Sequence, residues 1–202
     1  MLFCHYSVFF LALHLFVDFF RLISENKFTA GSKHPKGGVL VDTLIRRAKK
    51  KDSEAFCQLM DLHMQSMYKI AIAYLKNEED AADAIQDTIL TCYEKLQTLK
   101  QNRYFKTWLT RILINKCKDI LSQNKRIWPM ENLPETGRTS TEYSHAEWNA
   151  TLSFLDEKYR IVLLLYYMEG FSVKDISQIL EMKEPTVKSR LQRGRRQLAD
   201  LC

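Results

Sequence analysis

Glycine and proline are scarce in this chain, 6 and 4 among 202 residues. So few turn formers cannot build the repeated tight hairpins of a sandwich or barrel. Alternating β-branched runs are scarce as well, so the expected architecture is all-helical. The five cysteines, Cys4, Cys57, Cys92, Cys117 and Cys202, stand far apart, are odd in number and form no C-x-x-C pair. That argues against a disulfide framework or a zinc site and points to a reducing cytoplasm. Cys57, Cys92 and Cys117 sit among apolar helical residues and read as small core side chains. Catalytic patterns are missing too: there is no H-E-x-x-H, no phosphate loop and no nucleophile elbow, and His63, Glu94 and His145 are scattered. An enzyme is therefore not expected, nor is a metal or cofactor.

What is present is globular. Hydrophobic residues at 46% and charged residues at 27% exclude a disordered chain. The length suits one ordinary domain or two small ones. Thirty Lys and Arg against 24 Asp and Glu leave a net charge of +6, compatible with a nucleic-acid partner. The distribution of charge says more than its sum.

Residues 1–23 are strongly apolar, with Val8-Phe9-Phe10-Leu11 and Leu15-Phe16-Val17. No basic segment precedes them, no small-residue cleavage site follows, and His5, His14 and Asp18 interrupt them. Lys36-Gly37-Gly38 can be encoded as AAA-GGA-GGN, which contains a ribosome-binding sequence, just upstream of Val39, Leu40 and Val41. The expectation is that translation starts at one of these three and that residues 1–41 are an apolar extension outside the working protein. A membrane tether is the alternative.

From residue 42 the pattern is helical. Asp42 is expected to cap a short helix through Lys49, and Asp52 or Ser53 a long one with Ala55, Phe56, Leu59, Met60, Met67, Ile70, Ala71 and Tyr74 inward. Asn77 opens a third helix to about Leu99. A polar loop, Lys100-Gln101-Asn102-Arg103, precedes a fourth from about Tyr104 to Ser122. Residues 123–145 hold Pro129, Pro134, Gly137 and Thr139-Ser140-Thr141, and read as a linker. Helical periodicity resumes over 146–202. The organisation is two small helical domains, 42–122 and 146–202, on a flexible tether.

The second domain has helix-turn-helix grammar. Asp156 starts a helix with Ile161, Val162, Leu164, Leu165 and Tyr166, which Gly170 stops. Ser172 and Asp175 resemble a capping box for a short helix with Ile176, Ile179 and Leu180 inward. After the turn Glu181-Met182-Lys183-Glu184, Pro185 suits the first position of a last helix. At about 100° per residue, Val187, Leu191, Gly194 and Leu198 share one face of it. Ser189, Gln192, Arg193 and Arg196 share the other, flanked by Lys188 and Arg190. Such a face can read base edges in a major groove, with the remaining basic residues on phosphates.

The first domain separates its charges. Glu78, Glu79 and Asp80 suit a helix N-terminus, but Asp83 and Asp87 lie further in, four apart. They repel mildly and gain from a basic partner. The fourth helix is the reverse. Phe105, Trp108, Leu109, Ile112 and Ile120 make its expected buried stripe, beside a polar stripe of Arg111, Asn115 and Lys118. Lys100, Arg103, Lys106, Lys116, Lys125 and Arg126 add to a surface able to track phosphates. The loop before the helix is the expected place for an unstacked base.

Together these segments resemble the extracytoplasmic-function sigma factors of bacterial RNA polymerase. Asp80-Ala81-Ala82-Asp83-Ala84-Ile85-Gln86-Asp87 is similar to the family's D-A-E-D-x-x-Q motif followed by an acid. Phe105-Lys106-Thr107-Trp108-Leu109 with Ile112, Asn115 and Asp119 resembles its F-x-T-W-L segment and the I, N and D that follow. Thr186-Val187-Lys188-Ser189-Arg190-Leu191 with Arg193 resembles its T-V-K-S-R-L-x-R helix. The chain departs at Ala82, in place of Glu, and at Glu181 and Pro185, in place of Gly.

The resemblance implies an alternative sigma factor of a stress or envelope response. Asp80, Asp83, Gln86 and Asp87 would bind core RNA polymerase. Arg103, Lys106, Arg111, Asn115, Lys118 and Asp119 would recognise minus-ten promoter DNA. Thr186, Lys188, Ser189, Arg190, Gln192, Arg193 and Arg196 would recognise the minus-thirty-five element. It also implies an anti-sigma factor, often membrane-bound, and a monomer when free. An ordinary helix-turn-helix regulator is the main rival, but it leaves the charge faces of residues 78–126 unexplained.

Overall fold

The computed structural model describes residues 37–127 and 155–199. All regular structure among the described residues is helical, as the composition predicts. The order is α1 (Gly37–Lys49), α2 (Ser53–Leu75), α3 (Glu78–Lys95), two single 3₁₀ turns (Leu96–Thr98 and Asn102–Tyr104) and α4 (Phe105–Ile127). Beyond the linker come α5 (Glu157–Leu163), a π-helical turn (Leu164–Met168), α6 (Val173–Leu180) and α7 (Glu184–Ala199). The apolar stretch 1–23 and residues 128–145 of the expected linker lie outside the described residues.

Local capping sets most boundaries. Asp52 accepts a hydrogen bond from the Ala55 amide at 3.0 Å and opens α2. That bond, with the Arg47 side chain, holds its carboxyl below the usual range. Asn77 does the same for α3 through the Asp80 amide at 2.9 Å. Glycine is rare enough that lysine and glutamate take left-handed positions after helices: Lys51 (φ 66°), Lys76 (φ 57°) and Glu181 (φ 57°).

Expectations for α1 and α4 need correction. Asp42 does not cap α1, which begins at Gly37. Nothing from Gly38 to Val41 competes with the helical backbone, so Asp42 lies within the helix and pairs with Arg46 at 2.6 Å. Next, α4 runs past Ser122 to Ile127. No breaker occurs until Pro129, so the first five residues of the expected linker are helical. The third correction concerns the inner face of α4, which carries Phe105, Leu109, Leu113, Ile114 and Cys117. Trp108, Ile112 and Ile120 are half-buried on its flanks. The helical period is the expected one, rotated by about one residue.

The described residues divide into two compact units, 37–64 with 86–105, and 65–85 with 106–127 and 155–199. In the first, Leu44 and Ile45 of α1 and Phe56, Leu59 and Met60 of α2 are core residues, all at most 3% exposed. The Phe56 ring meets Tyr93 edge-on at 5.1 Å. Burying a side chain of this size stabilises by about 1.5–3 kcal/mol. In the second unit, Ile70 and Ala71 of α2 are buried, as are Ala81 and Ala84 of α3. Burial pushes the Cys92 and Cys117 thiols up to about 12, which makes them inert, as expected of core cysteines. Cys57 is only half-buried.

The helices of 155–199 enclose Ile161, Val162, Leu164, Leu165, Ile176, Ile179 and Val187. Asp156 stands at the N-cap of α5 without a side-chain capping bond. The π turn adds a residue to the helical phase, with the Glu169 amide bonding to the Leu164 carbonyl at 3.1 Å. Tyr166, expected inward, is 40% exposed for that reason. Gly170 then turns the chain at φ +71°, a conformation natural to glycine. The Ser172 hydroxyl and Asp175 carboxylate form the expected reciprocal capping box of α6.

Candidate nucleic-acid interface

The last helix is arranged as its spacing predicts. Val187, Leu191 and Gly194 are buried and Leu198 is half-buried. Lys188, Ser189, Gln192, Arg193 and Arg196 are exposed on the other side. Thr186 and Arg190 are half-buried. Arg190 lies toward α5, where its charge bears on Tyr74 and Lys158, and the Ser189 hydroxyl donates to the Thr186 carbonyl at 2.9 Å. Opposite the buried seam, Lys188, Gln192, Arg193 and Arg196 are the outward donors, and Arg195 and Gln197 are exposed on the flanks. Pro185 is its second rather than first residue.

On α3, Asp83 and Asp87 are exposed, while Asp80 and Gln86 are half-buried. At about 100° per residue, Asp80, Asp83 and Asp87 fall on one face and Gln86 on its flank. Asp80 also accepts a hydrogen bond from the Asn124 amide of α4 at 3.1 Å, and Asp83 and Asp87 are the exposed acids of that face.

On α4, Arg111, Asn115, Lys118 and Asp119 lie within one arc of about 100°, with Arg111 and Asp119 exposed. Lys106 stands well round from that arc. Arg103 is in the 3₁₀ turn before the helix, its guanidinium 4.7 Å from the centre of the Tyr104 ring. Both residues are exposed, and Tyr104 offers an aromatic surface that charge-based reading overlooks.

Sequence reasoning also missed the acids that engage this basic set. Arg111 pairs with Glu181 at 2.5 Å. The Arg111 side chain holds the Glu181 carboxyl below the usual range, and Lys118 acts in the same direction. Lys106 donates to the Glu169 carbonyl at 2.7 Å, pairs with its carboxylate at 3.2 Å and lies 4.8 Å from the centre of the Phe171 ring. The Glu169 carboxylate, 8% exposed, also accepts from the Ser66 hydroxyl. The Thr107 hydroxyl reaches Asp175 at 3.4 Å. These contacts join positions 63–103 residues apart, so no local pattern announces them. No group of side chains among the described residues could hold a metal ion, and no described helix is long and apolar enough to cross a membrane.

The family profile described as Sigma-70 region 2 matches residues 59–127, and Sigma-70, region 4, matches 146–198. The ECF RNA polymerase sigma factor SigW of Bacillus subtilis is 29% identical over 186 residues, covering 81% of this chain and 99% of SigW. The ECF RNA polymerase sigma factor SigM of Mycobacterium tuberculosis is 31% identical over 153 residues, covering 74% of this chain and 78% of SigM. Among solved structures, CnrH in complex with the cytosolic domain of CnrY has a TM-score of 0.61 at 26% identity, over 80% of this chain and 96% of CnrH. The sigma factor RpoE of Bartonella quintana, solved with the anti-sigma factor NepR, shares the fold at a TM-score of 0.61 and 24% identity, over 72% and 95% of the two chains. With regions 2 and 4 both matched and SigM nearly a third identical, the chain belongs to the extracytoplasmic-function sigma factors of RNA polymerase.

Proposed function

We propose that this sigma factor works by binding alone, in the cytoplasm. Asp83 and Asp87 dock on a basic surface of core polymerase, α4 and the turn before it take the minus-ten strand, and α7 reads the minus-thirty-five duplex. Asp80 and Gln86 flank the first contact. The observation that carries this reading is α7, where outward Lys188, Gln192, Arg193 and Arg196 back onto a buried Val187–Leu191–Gly194 seam. A helix so anchored presents its donors rigidly to a groove. The chain is a monomer when free, serves a stress or envelope response, and is restrained by an anti-sigma protein. CnrH, 26% identical to this chain, was solved in complex with the cytosolic domain of a second protein, CnrY, which is in keeping with a protein partner.

The test is transcription reconstituted with purified core polymerase on genomic fragments that include the region upstream of the gene. Transcripts from defined promoters that need this protein establish the reading. DNA binding without polymerase association would replace it with an ordinary helix-turn-helix regulator. Within that assay, Arg193→Ala should cost about 1–3 kcal/mol of minus-thirty-five recognition. Core binding should be unchanged, as measured by fluorescence anisotropy of labelled chain. Loss of core binding by that variant would contradict the division of labour.

Glu169 and Glu181 compete with phosphates for Lys106 and Arg111, so DNA that uses these two cations binds against the acids that hold them. Glu181→Gly should therefore raise affinity for a single-stranded minus-ten oligonucleotide severalfold. It should do so without loss of melting temperature, because glycine occupies the left-handed position more easily than glutamate. Unchanged affinity across a salt titration would show that the Arg111–Glu181 pair does not compete with DNA.

A further inference from the structure

The segment Leu96–Tyr104 has little structure of its own. It consists of two single 3₁₀ turns held by short-range backbone bonds, from the Leu99 amide to the Leu96 carbonyl in the first and from the Tyr104 and Phe105 amides to the Gln101 and Asn102 carbonyls in the second. Three residues between them, Leu99, Lys100 and Gln101, lie outside both turns. Leu96 and Leu99 point inward as buried anchors, while Lys100, Gln101, Arg103 and Tyr104 are exposed. A segment like this, left to its internal bonds, would sample many conformations.

Its shape is fixed instead from α1, about 50 residues earlier. The Lys49 ammonium donates to the Leu99 carbonyl at 2.6 Å and to Asn102 Oδ1 at 3.0 Å. One cation thus ties together the two ends of the Leu99–Asn102 stretch. The other side of the same amide, Asn102 Nδ2, donates to Asp42 Oδ1 at 2.8 Å. The Gln97 amide reaches back to the Lys49 carbonyl. Lys49, Asp42 and Asn102 are all half-buried, where such charge-assisted bonds are stronger than in open water.

The polarity of this relay is self-consistent. Asn102 presents its oxygen to a cation and its NH₂ to an anion. Rotating the amide by half a turn would set NH₂ against ammonium and oxygen against carboxylate, so a single orientation is held. Asp42 is kept in place by Arg46 on the next turn of α1.

We propose that Lys49, Asp42 and Asn102 are positioning residues for minus-ten recognition, fixing the backbone that displays Arg103 and Tyr104 before DNA arrives. This rests on the proposed minus-ten role of that segment. None of the three needs to touch DNA. Their work is to lower the ordering cost when a base leaves the duplex stack and enters the protein, a step that is sensitive to preorganisation.

The experiment uses full-length protein with core polymerase and compares wild type, Lys49→Met and Lys49→Arg. Methionine keeps most of the stem and removes the donor, whereas arginine can still donate to both acceptors. Permanganate reactivity reads promoter opening, and a panel of single-base minus-ten changes reads selectivity. Lys49→Met should slow opening roughly ten- to a hundredfold, the scale on which misplaced positioning groups act. It should also flatten discrimination across the panel, with core binding and minus-thirty-five duplex binding retained. Lys49→Arg should recover most of both. Wild-type opening and selectivity in Lys49→Met would overturn the proposal. A parallel loss of core binding would overturn it too, by reducing the network to general structural support. Arg103→Ala with Lys106→Ala is the control for the underlying reading. If that pair leaves opening intact, the minus-ten assignment has failed rather than the positioning role.

Discussion

Reversing both outward acids of α3, with Asp83→Lys and Asp87→Lys together, is expected to abolish assembly with core polymerase while the chain stays folded. The helix does not need these charges. Its N-terminus is held by the Asn77 side chain on the Asp80 amide, and Glu78, Glu79 and Asp80 supply the first-turn negative charge. Asp83 lies beyond that turn, where the dipole gains little from an acid. Lysine is also a better helix former than aspartate. Both side chains are exposed, so neither substitution opens a cavity in the core. Across an interface the account is different. A close, desolvated charge pair couples by about 1.5–7 kcal/mol, and reversal turns attraction into repulsion at two positions. A loss of at least about a hundredfold in affinity follows, about 2.7 kcal/mol. Fluorescence anisotropy with labelled chain measures it, and circular dichroism checks the fold. Wild-type affinity in the double variant would remove the case for an acidic docking face. The single changes Asp83→Asn and Asp87→Asn should give intermediate losses, each smaller at high salt, where the wild-type interaction is itself screened.

The features that sequence made legible are local. Asn77 as a cap, the Ser172–Asp175 box, the Gly170 stop and the Val187–Leu191–Gly194 seam each depend on residues within one or two turns of one another, and helical periodicity registers that distance directly. The two-domain helical architecture followed from the same signals. Features that depend on distant partners were not legible. Nothing near Lys49 foretells Asn102, and nothing near Arg111 foretells Glu181. Arg160 was passed over entirely, although it is 4% exposed and donates to the Ala73 carbonyl at 2.7 Å across 87 positions. The misplacement of Tyr166 has another origin. A π turn inserts one residue into the phase, and a fixed period cannot anticipate it. Glu181 lies between these cases. Its departure from glycine was visible in the sequence, but the purpose of a side chain at that strained position became clear only once Arg111 was found beside it.

Gly194→Val is expected to unfold much of the helix-turn-helix region and so to cost minus-thirty-five binding by a different route from Arg193→Ala. A Cβ on Gly194 would stand 2.9 Å from Leu163 Cδ1, 3.2 Å from Leu163 Cγ and 3.3 Å from Tyr159 Cβ. The first neighbour is the end of a side chain and could rotate in open space. It is not in open space, because Leu163 is 2% exposed and Tyr159 8%, so neither can retreat without displacing others. Alanine sets this crowding against the helix-propensity gain of about 0.5–1 kcal/mol on removing a mid-helix glycine, and Gly194→Ala should be close to neutral. Valine adds two further carbons at the closest approach of α5 and α7. Overpacking of this kind costs about 1–3 kcal/mol, and a region of some fifty residues has only about 2.5–7.5 kcal/mol of net stability. Valine therefore removes a large share of it. Thermal melting of the 155–199 helices should fall markedly, and binding to a minus-thirty-five duplex should weaken more than tenfold. Assembly with core polymerase through the α3 acids should persist. The two substitutions separate reading from scaffolding, since Arg193→Ala loses the duplex with its melting curve intact and Gly194→Val loses both together. If Gly194→Val melted and bound as wild type does, α5 and α7 would have to be farther apart than the Leu163 and Tyr159 distances place them.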